Sequence, residues 1–231
     1  MRTLFYTFLF TLLLISCTDK NTTKSSSTSD KERITEVFNN FKSAILENKG
    51  TEAVSHVHKN TTGYFSYVLR EAKYSDSTEV SSFPPKDKFL ILLIRQFYNK
   101  EEIKKLNRKT LMAFVIDKWF IGKDDIQSLT LGKIVMDTKE ENRATARIRS
   151  YDLRTPYSVD FYKENNRWKI DLSPTYADIT RGLRKMINKS GMKENEFILW
   201  AIKEFSGQAP RDNIWDKVLK IRKGRIKKTS M

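Results

Sequence analysis

Apolar residues recur every three or four positions through the first half of the chain, then at every second position further on. Ile34, Val37, Phe38, Phe41, Ala44 and Ile45 draw one stripe along a helix. Asn48-Lys49-Gly50 is suited to stop it, with glycine free to take the left-handed cap. Thr51 and Glu52 open a second helix through Ala53, Val54 and Val57, and a third is expected across 64–72. Pro84-Pro85 breaks the chain. The run 87–98, DKFLILLIRQFY, is apolar nearly all round, which places it at the centre of a core. Two shorter helices are expected at 100–106 and 110–120, the second turning Leu111, Phe114, Val115 and Ile116 inward, with Gly122 closing it.

The period then switches to two. Residues 128–138, 143–153, 155–164 and 167–172 predict four antiparallel strands, with polar turns at 139–142 and Asn165-Asn166. Pro174 ends the last strand, and helices are expected again at 176–188, 194–205 and 213–222. The predicted class is α+β: N-terminal helices packed on a curved four-stranded antiparallel meander, followed by a helical extension. Trp119-Phe120-Ile121-Gly122-Lys123, Asn142-Arg143-Ala144-Thr145-Ala146 and Arg167-Trp168-Lys169-Ile170-Asp171-Leu172 are similar to motifs of uncharacterised bacterial members of the nuclear transport factor 2-like superfamily. Glu194-Asn195-Glu196-Phe197-Ile198-Leu199 resembles a helical tail found in some of them. The resemblance covers residues 51–175 and implies a cone, with helices lying in the concavity of a bent sheet.

The opening of the chain has a different character. Arg2 is the only charge before the apolar run 4–15, whose last two residues open Leu14-Ile15-Ser16-Cys17. A positive start, an apolar stretch and small residues at a cut site mark a segment for export and removal. The run is too short to span a bilayer core, which takes about 20 residues. Leu-Ile-Ser-Cys resembles the lipobox of bacterial lipoproteins, which implies a diacylglycerol on the Cys17 sulfur and Cys17 as the mature N-terminus. Cys17 is the only cysteine, so no internal disulfide can form. Residues 18–30 contain no apolar side chain and read as a flexible tether. The expected organisation is a signal at 1–16, lipidated Cys17 and tether at 17–30, an α+β domain at 31–175 and a basic helical extension at 176–231. Thr18, rather than Asp, follows the cysteine, and by resemblance to enterobacterial sorting this favours the outer membrane of a bacterial envelope.

Composition narrows the partners. The chain has 231 residues with a formal charge of +15, 12% aromatic residues, 8 Gly and 5 Pro, which suits an element-rich domain with a real core. Such a charge first suggests nucleic acid, but an exported, tethered protein rarely meets it, so no nucleic-acid partner is expected. Anionic lipid or envelope polysaccharide is the expected counterion, and Lys217, Lys220, Arg222, Lys223, Arg225, Lys227 and Lys228 form a basic tail able to meet it.

Candidate chemistry is sparse. Strand parity sets Ala144, Ala146, Ile148, Val159, Phe161, Trp168 and Ile170 on one face, leaving Asp160 and Asp171 with Arg147 and Arg149 on the outer one. No strand carboxylate is then left inside the cone as a general base, although relatives such as ketosteroid isomerase are enzymes. Arg95, inside the most apolar helix, demands a partner: Asp117 or Asp87 as a buried ion pair, or an anionic ligand. His56 and His58 would diverge by about 200° on a helix, so no metal site is expected. Neither a cofactor nor a catalytic residue is assigned, since no phosphate loop or nucleophile elbow occurs. Tyr64, Phe65, Tyr67 and Tyr74 read as core. Asp76-Ser77-Thr78, in an expected polar loop, resembles a short O-glycosylation site. The fold analogy also implies pairing of two copies through Arg147, Arg149, Tyr151 and Tyr162 on the outer sheet face. The expected function is a membrane-anchored, non-enzymatic binding or scaffolding module; the alternatives are a small-molecule or catalytic cone, and a basic tail gripping anionic lipid or polysaccharide.

Overall fold

The computed structural model describes residues 29–118 and 123–220, without the side chain of Lys123. Cys17 and its signal, most of the tether, residues 119–122 and the tail beyond Lys220 lie outside the described residues.

Among the described residues eight helices come first: α1 (Asp30–Leu46), α2 (Gly50–Ser55), α3 (Lys59–Tyr74), α4 (Ser77–Ser82), α5 (Pro85–Phe97), α6 (Lys100–Lys105), α7 (Arg108–Asp117) and α8 (Lys123–Ser128). The strands β1 (Leu129–Met136), β2 (Arg143–Ser150), β3 (Leu153–Glu164) and β4 (Arg167–Asp171) follow, paired in chain order as an antiparallel meander. A 3-10 turn, Ser173–Thr175, leads into α9 (Tyr176–Ser190) and α10 (Glu194–Ser206). The chain is α+β in the expected order.

Ser29 and Glu32 form a reciprocal capping box that starts α1 one residue inside the expected tether. Asp30 then accepts from Trp168 Nε1 at 2.9 Å, fastening this helix to β4. α5 fills the centre as its all-round apolar character requires, with Ile91, Leu92, Leu93 and Ile94 no more than 1% exposed. On the sheet, Ala144 stands opposite Phe161 and Phe161 opposite Ile170, so one row across three strands is fully buried, with the small Ala144 leaving room for the Phe161 ring. Buried core side chains run from Ile34 to Ile214, so a chain beginning at Ser29 carries every core residue among those described.

Several expectations need correction. Asn48 (φ 56°), not Gly50, takes the left-handed position after α1. Gly50 instead lets α2 meet α7 at backbone distance. Its N–H donates to Asp117 Oδ1 at 2.7 Å, and an added Cβ would lie 2.6 Å from that oxygen and closer still to the Ala113 carbonyl. Gly50→Ala should therefore destabilise by about 2–3 kcal/mol through overpacking, read as a lowered urea midpoint with unchanged slope. Asp76-Ser77-Thr78 is not a loop: Asp76 caps α4 in a box with Glu79. The helix expected at 213–222 is absent from its described part, where turns occur, because its backbone bonds outward to the body. Leu219 N–H, for example, donates to the Lys73 carbonyl at 2.8 Å.

Candidate binding groove

The periodicity of α3 puts Tyr64 and Tyr67 one turn apart, so both rings reach the same side. Pro84-Pro85 ends the preceding segment and starts α5, with Pro85 at a first-turn position that needs no N–H. Lys86 and Asp87 therefore fall in that first turn, where the helix dipole favours the carboxylate. Tyr176 opens α9 directly after the 3-10 turn. The three elements enclose a groove of about 580 Å³, lined by these side chains and by Thr180, Arg181 and Arg184 of α9.

A cation sits against a pair of rings in this groove. Lys86 Nζ lies 3.5 Å from the centre of the Tyr64 ring and 4.6 Å from that of Tyr176, and the two rings are 4.5 Å apart, tilted by 43°. Asp87 Oδ1 accepts from Tyr64 Oη at 2.6 Å and from Lys86 Nζ at 2.8 Å. Burial lowers the Lys86 pKa while Asp87 pulls it back up. Burial raises Tyr64, with the bond to Asp87 adding to it, and burial likewise raises Tyr176. Both phenols are thus neutral at ordinary pH. The Tyr176 hydroxyl is buried and forms no hydrogen bond, while Thr61 Oγ1 donates to Asp171 and accepts from Leu172 N–H. Arg181 pairs with Asp178 at 2.8 Å, and Arg184 is exposed at the rim. Three cations and one carboxylate line the groove, so it suits an anion carried by a body that packs on tyrosine.

Arg95 is buried, and its partners are neither Asp117 nor Asp87. Its guanidinium donates to five backbone carbonyls: Ala72 (3.1 Å), Glu71 (3.2 Å), Ser75 (2.6 Å), Ile214 (3.3 Å) and Trp215 (3.1 Å). Burial lowers its pKa to about 10, with Asp216 and Asp76 opposing, so it stays charged at neutral pH. Asp117 serves Gly50 at the start of α2 and Asp87 serves the groove, so the expected ion pair is not formed.

Asp160 and Asp171 do share the face away from the helical core, directly opposite each other on β3 and β4, but both are buried. The strand pattern could not reveal this, because the covering groups come from elsewhere. Residues 56–58 add a short parallel pairing beside β4, where His58 N–H donates to the Ile170 carbonyl and Ile170 N–H to that of His56. This brings Asn60 and Thr61 onto Asp171. It also stacks the His58 ring on Tyr162 at 4.5 Å, with His58 Nε2 3.1 Å from Glu164. The His58 ring thus covers part of Tyr162, which is half-buried. Tyr151, at the β2–β3 turn, is 63% exposed. No group of three or more His, Cys, Asp or Glu side chains among the described residues is placed to hold a metal ion. Nor is any helix among them long and apolar enough to cross a membrane.

Comparison of the chain with protein-family models, curated proteins and solved structures finds no match. Sequence reasoning assigned Tyr64 and Tyr67 to the core and passed over Lys86 and Tyr176. The available signal was Pro-Pro-Lys-Asp, a charged pair locked to the start of the most buried helix.

Proposed function

We propose that this chain is a lipid-anchored protein of the bacterial envelope, tethered at Cys17 to the outer membrane. Its body, an NTF2-like cone, works as a non-enzymatic binding module, and the tyrosine groove takes acidic saccharides of the envelope. The observation that carries this reading is the Lys86 ammonium set against the paired Tyr64 and Tyr176 rings in an open groove lined by three cations and one carboxylate. A sugar ring packs its C–H face on tyrosine, and its carboxylate meets Lys86 and Arg184 by charge-assisted hydrogen bonds. An open groove suits one residue of a long polymer better than it suits an enclosed reactant. The sheet face toward the helices is filled by Ala144, Ala146, Val159, Phe161 and Ile170, which favours binding over a reaction inside the cone.

The test displays uronate-bearing and neutral oligosaccharides to the 29–231 chain. Uronate binding should weaken at least tenfold in Lys86→Met and severalfold in Arg184→Gln, with circular dichroism unchanged. Equal binding of neutral and acidic sugars, or unaltered binding by both variants, would reject the groove assignment. Labelled palmitate entering the full chain but not Cys17→Ser tests the anchor separately.

A further inference from the structure

α9 leaves apolar side chains in solvent on one flank. Ile187 is buried and Leu183 half-buried, yet Ile179 and Met186 are 38% and 55% exposed, and Met192 just past the helix is 41% exposed. At about 100° per residue, Ile179 and Met186 fall within roughly 20° of each other. Lys189 and Lys185 follow about 70–110° round, and the groove-lining Thr180 and Arg184 lie about 110–150° away on the other flank. Between Tyr176 and Lys193 the cations are Arg181, Arg184, Lys185, Lys189 and Lys193, and Asp178 is the one acid.

We propose that this flank of α9 is a binding site for an anionic lipid surface. The helix lies in the plane of the leaflet, with Ile179, Met186 and Met192 entering the boundary between head groups and acyl chains. Lys185 and Lys189 meet lipid phosphates from the side. Apolar side chains edged by lysines on a helix too polar to cross a bilayer fit such a surface. A second copy fits poorly, because two-fold contact would set Lys185 and Lys189 against their own equivalents. The groove, on the opposite flank, then opens away from the lipid. This deepens the envelope reading but uses neither Cys17 nor the groove, so either can fail without the other.

The 29–231 chain contains no cysteine, so Ile179→Cys or Met186→Cys accepts a single environment-sensitive fluorophore. With vesicles containing about a third phosphatidylglycerol, the label at either position should shift to the blue. A label at exposed Glu52→Cys should not. Lys185→Gln with Lys189→Gln should weaken vesicle binding about 25-fold, at about fivefold per cation, and Ile179→Ser with Met186→Ser should weaken it severalfold. Binding that survives both pairs but vanishes on deleting 221–231 assigns the lipid contact to the tail and overturns the proposal. So does a label that shifts with protein concentration and not with vesicles, which would mark a contact between copies.

Discussion

Arg95→Met should lower the stability of the folded chain by about 3–5 kcal/mol, the scale for stripping a buried polar network of its charged member. Small domains have about 5–15 kcal/mol in total. Three of the five carbonyls it serves, Glu71, Ala72 and Ser75, belong to the end of α3, where backbone acceptors run out of partners and the helix dipole is negative. The other two, Ile214 and Trp215, belong to the segment after α10. One guanidinium therefore finishes a helix and holds the C-terminal strap against it. Gln96 adds a second fastening, donating to the Ala209 carbonyl at 3.1 Å and accepting from Arg211 N–H at 3.0 Å. Methionine fills the volume but takes the charged donor from all five; the Glu71 carbonyl keeps its bond from Ser75 N–H, while the buried Ala72, Ser75 and Ile214 carbonyls lose the guanidinium. Lysine should recover less than half the loss, because a single ammonium cannot span acceptors that a planar fork reaches in two directions. Urea titration gives the stability change, and limited proteolysis should cut the variant first within residues 207–220. An unchanged midpoint with an intact strap would show that the guanidinium does not hold this junction.

The residue that most needed explaining in the sequence thus proved structural, and its partners explain why they were hidden. Side-chain chemistry points to carboxylates, whereas Arg95 found backbone oxygens from two segments about 20 and 120 positions away. Elements with a strong period were legible: α1, α5, the four strands and α10 fall close to where apolar spacing puts them. The six-residue helices α2 and α6 were legible as well, but α4 and α8, of the same length, were not. They bury little, so they leave almost no periodic trace. The described part of 213–222 failed the opposite way: its helical spacing was real, but tertiary bonds to Arg95 and Lys73 took the backbone groups a helix would use. The groove was half legible. Tyr64 and Tyr67 stood out at helical spacing, but only the packing of α9 against the start of α5 brings Tyr176 and Lys86 to Tyr64.

Asp171→Asn should cost about 2–3 kcal/mol at neutral pH, with a pH dependence that identifies the cause. The carboxylate is 2% exposed and accepts from Thr61 Oγ1 (2.8 Å), Asn60 Nδ2 (2.9 Å) and Ser173 N–H (3.0 Å). An amide in its place offers one acceptor and sets its own donors against groups that are also donors. Burial pushes the Asp171 carboxyl up, but the Ser173, Asn60 and Thr61 bonds outweigh it and hold the pKa below its ordinary 3.8. With the folded value below the unfolded one, its stabilisation is present above the unfolded pKa and is lost as pH falls through the folded one. The gap between parent and variant should therefore be constant from about pH 7 to 5 and narrow below about pH 4. Asp160, directly across on β3, carries its own donors, Arg143 at 2.9 Å and Thr145 at 2.6 Å, which offset the repulsion between the two charges. If that repulsion dominated, neutralising Asp171 would stabilise the fold. Urea titrations at pH 7, 5, 4 and 3 separate the cases: a variant as stable as the parent at pH 7, or a gap that widens in acid, would show that the Asn60, Thr61 and Ser173 bonds do not stabilise the charged form.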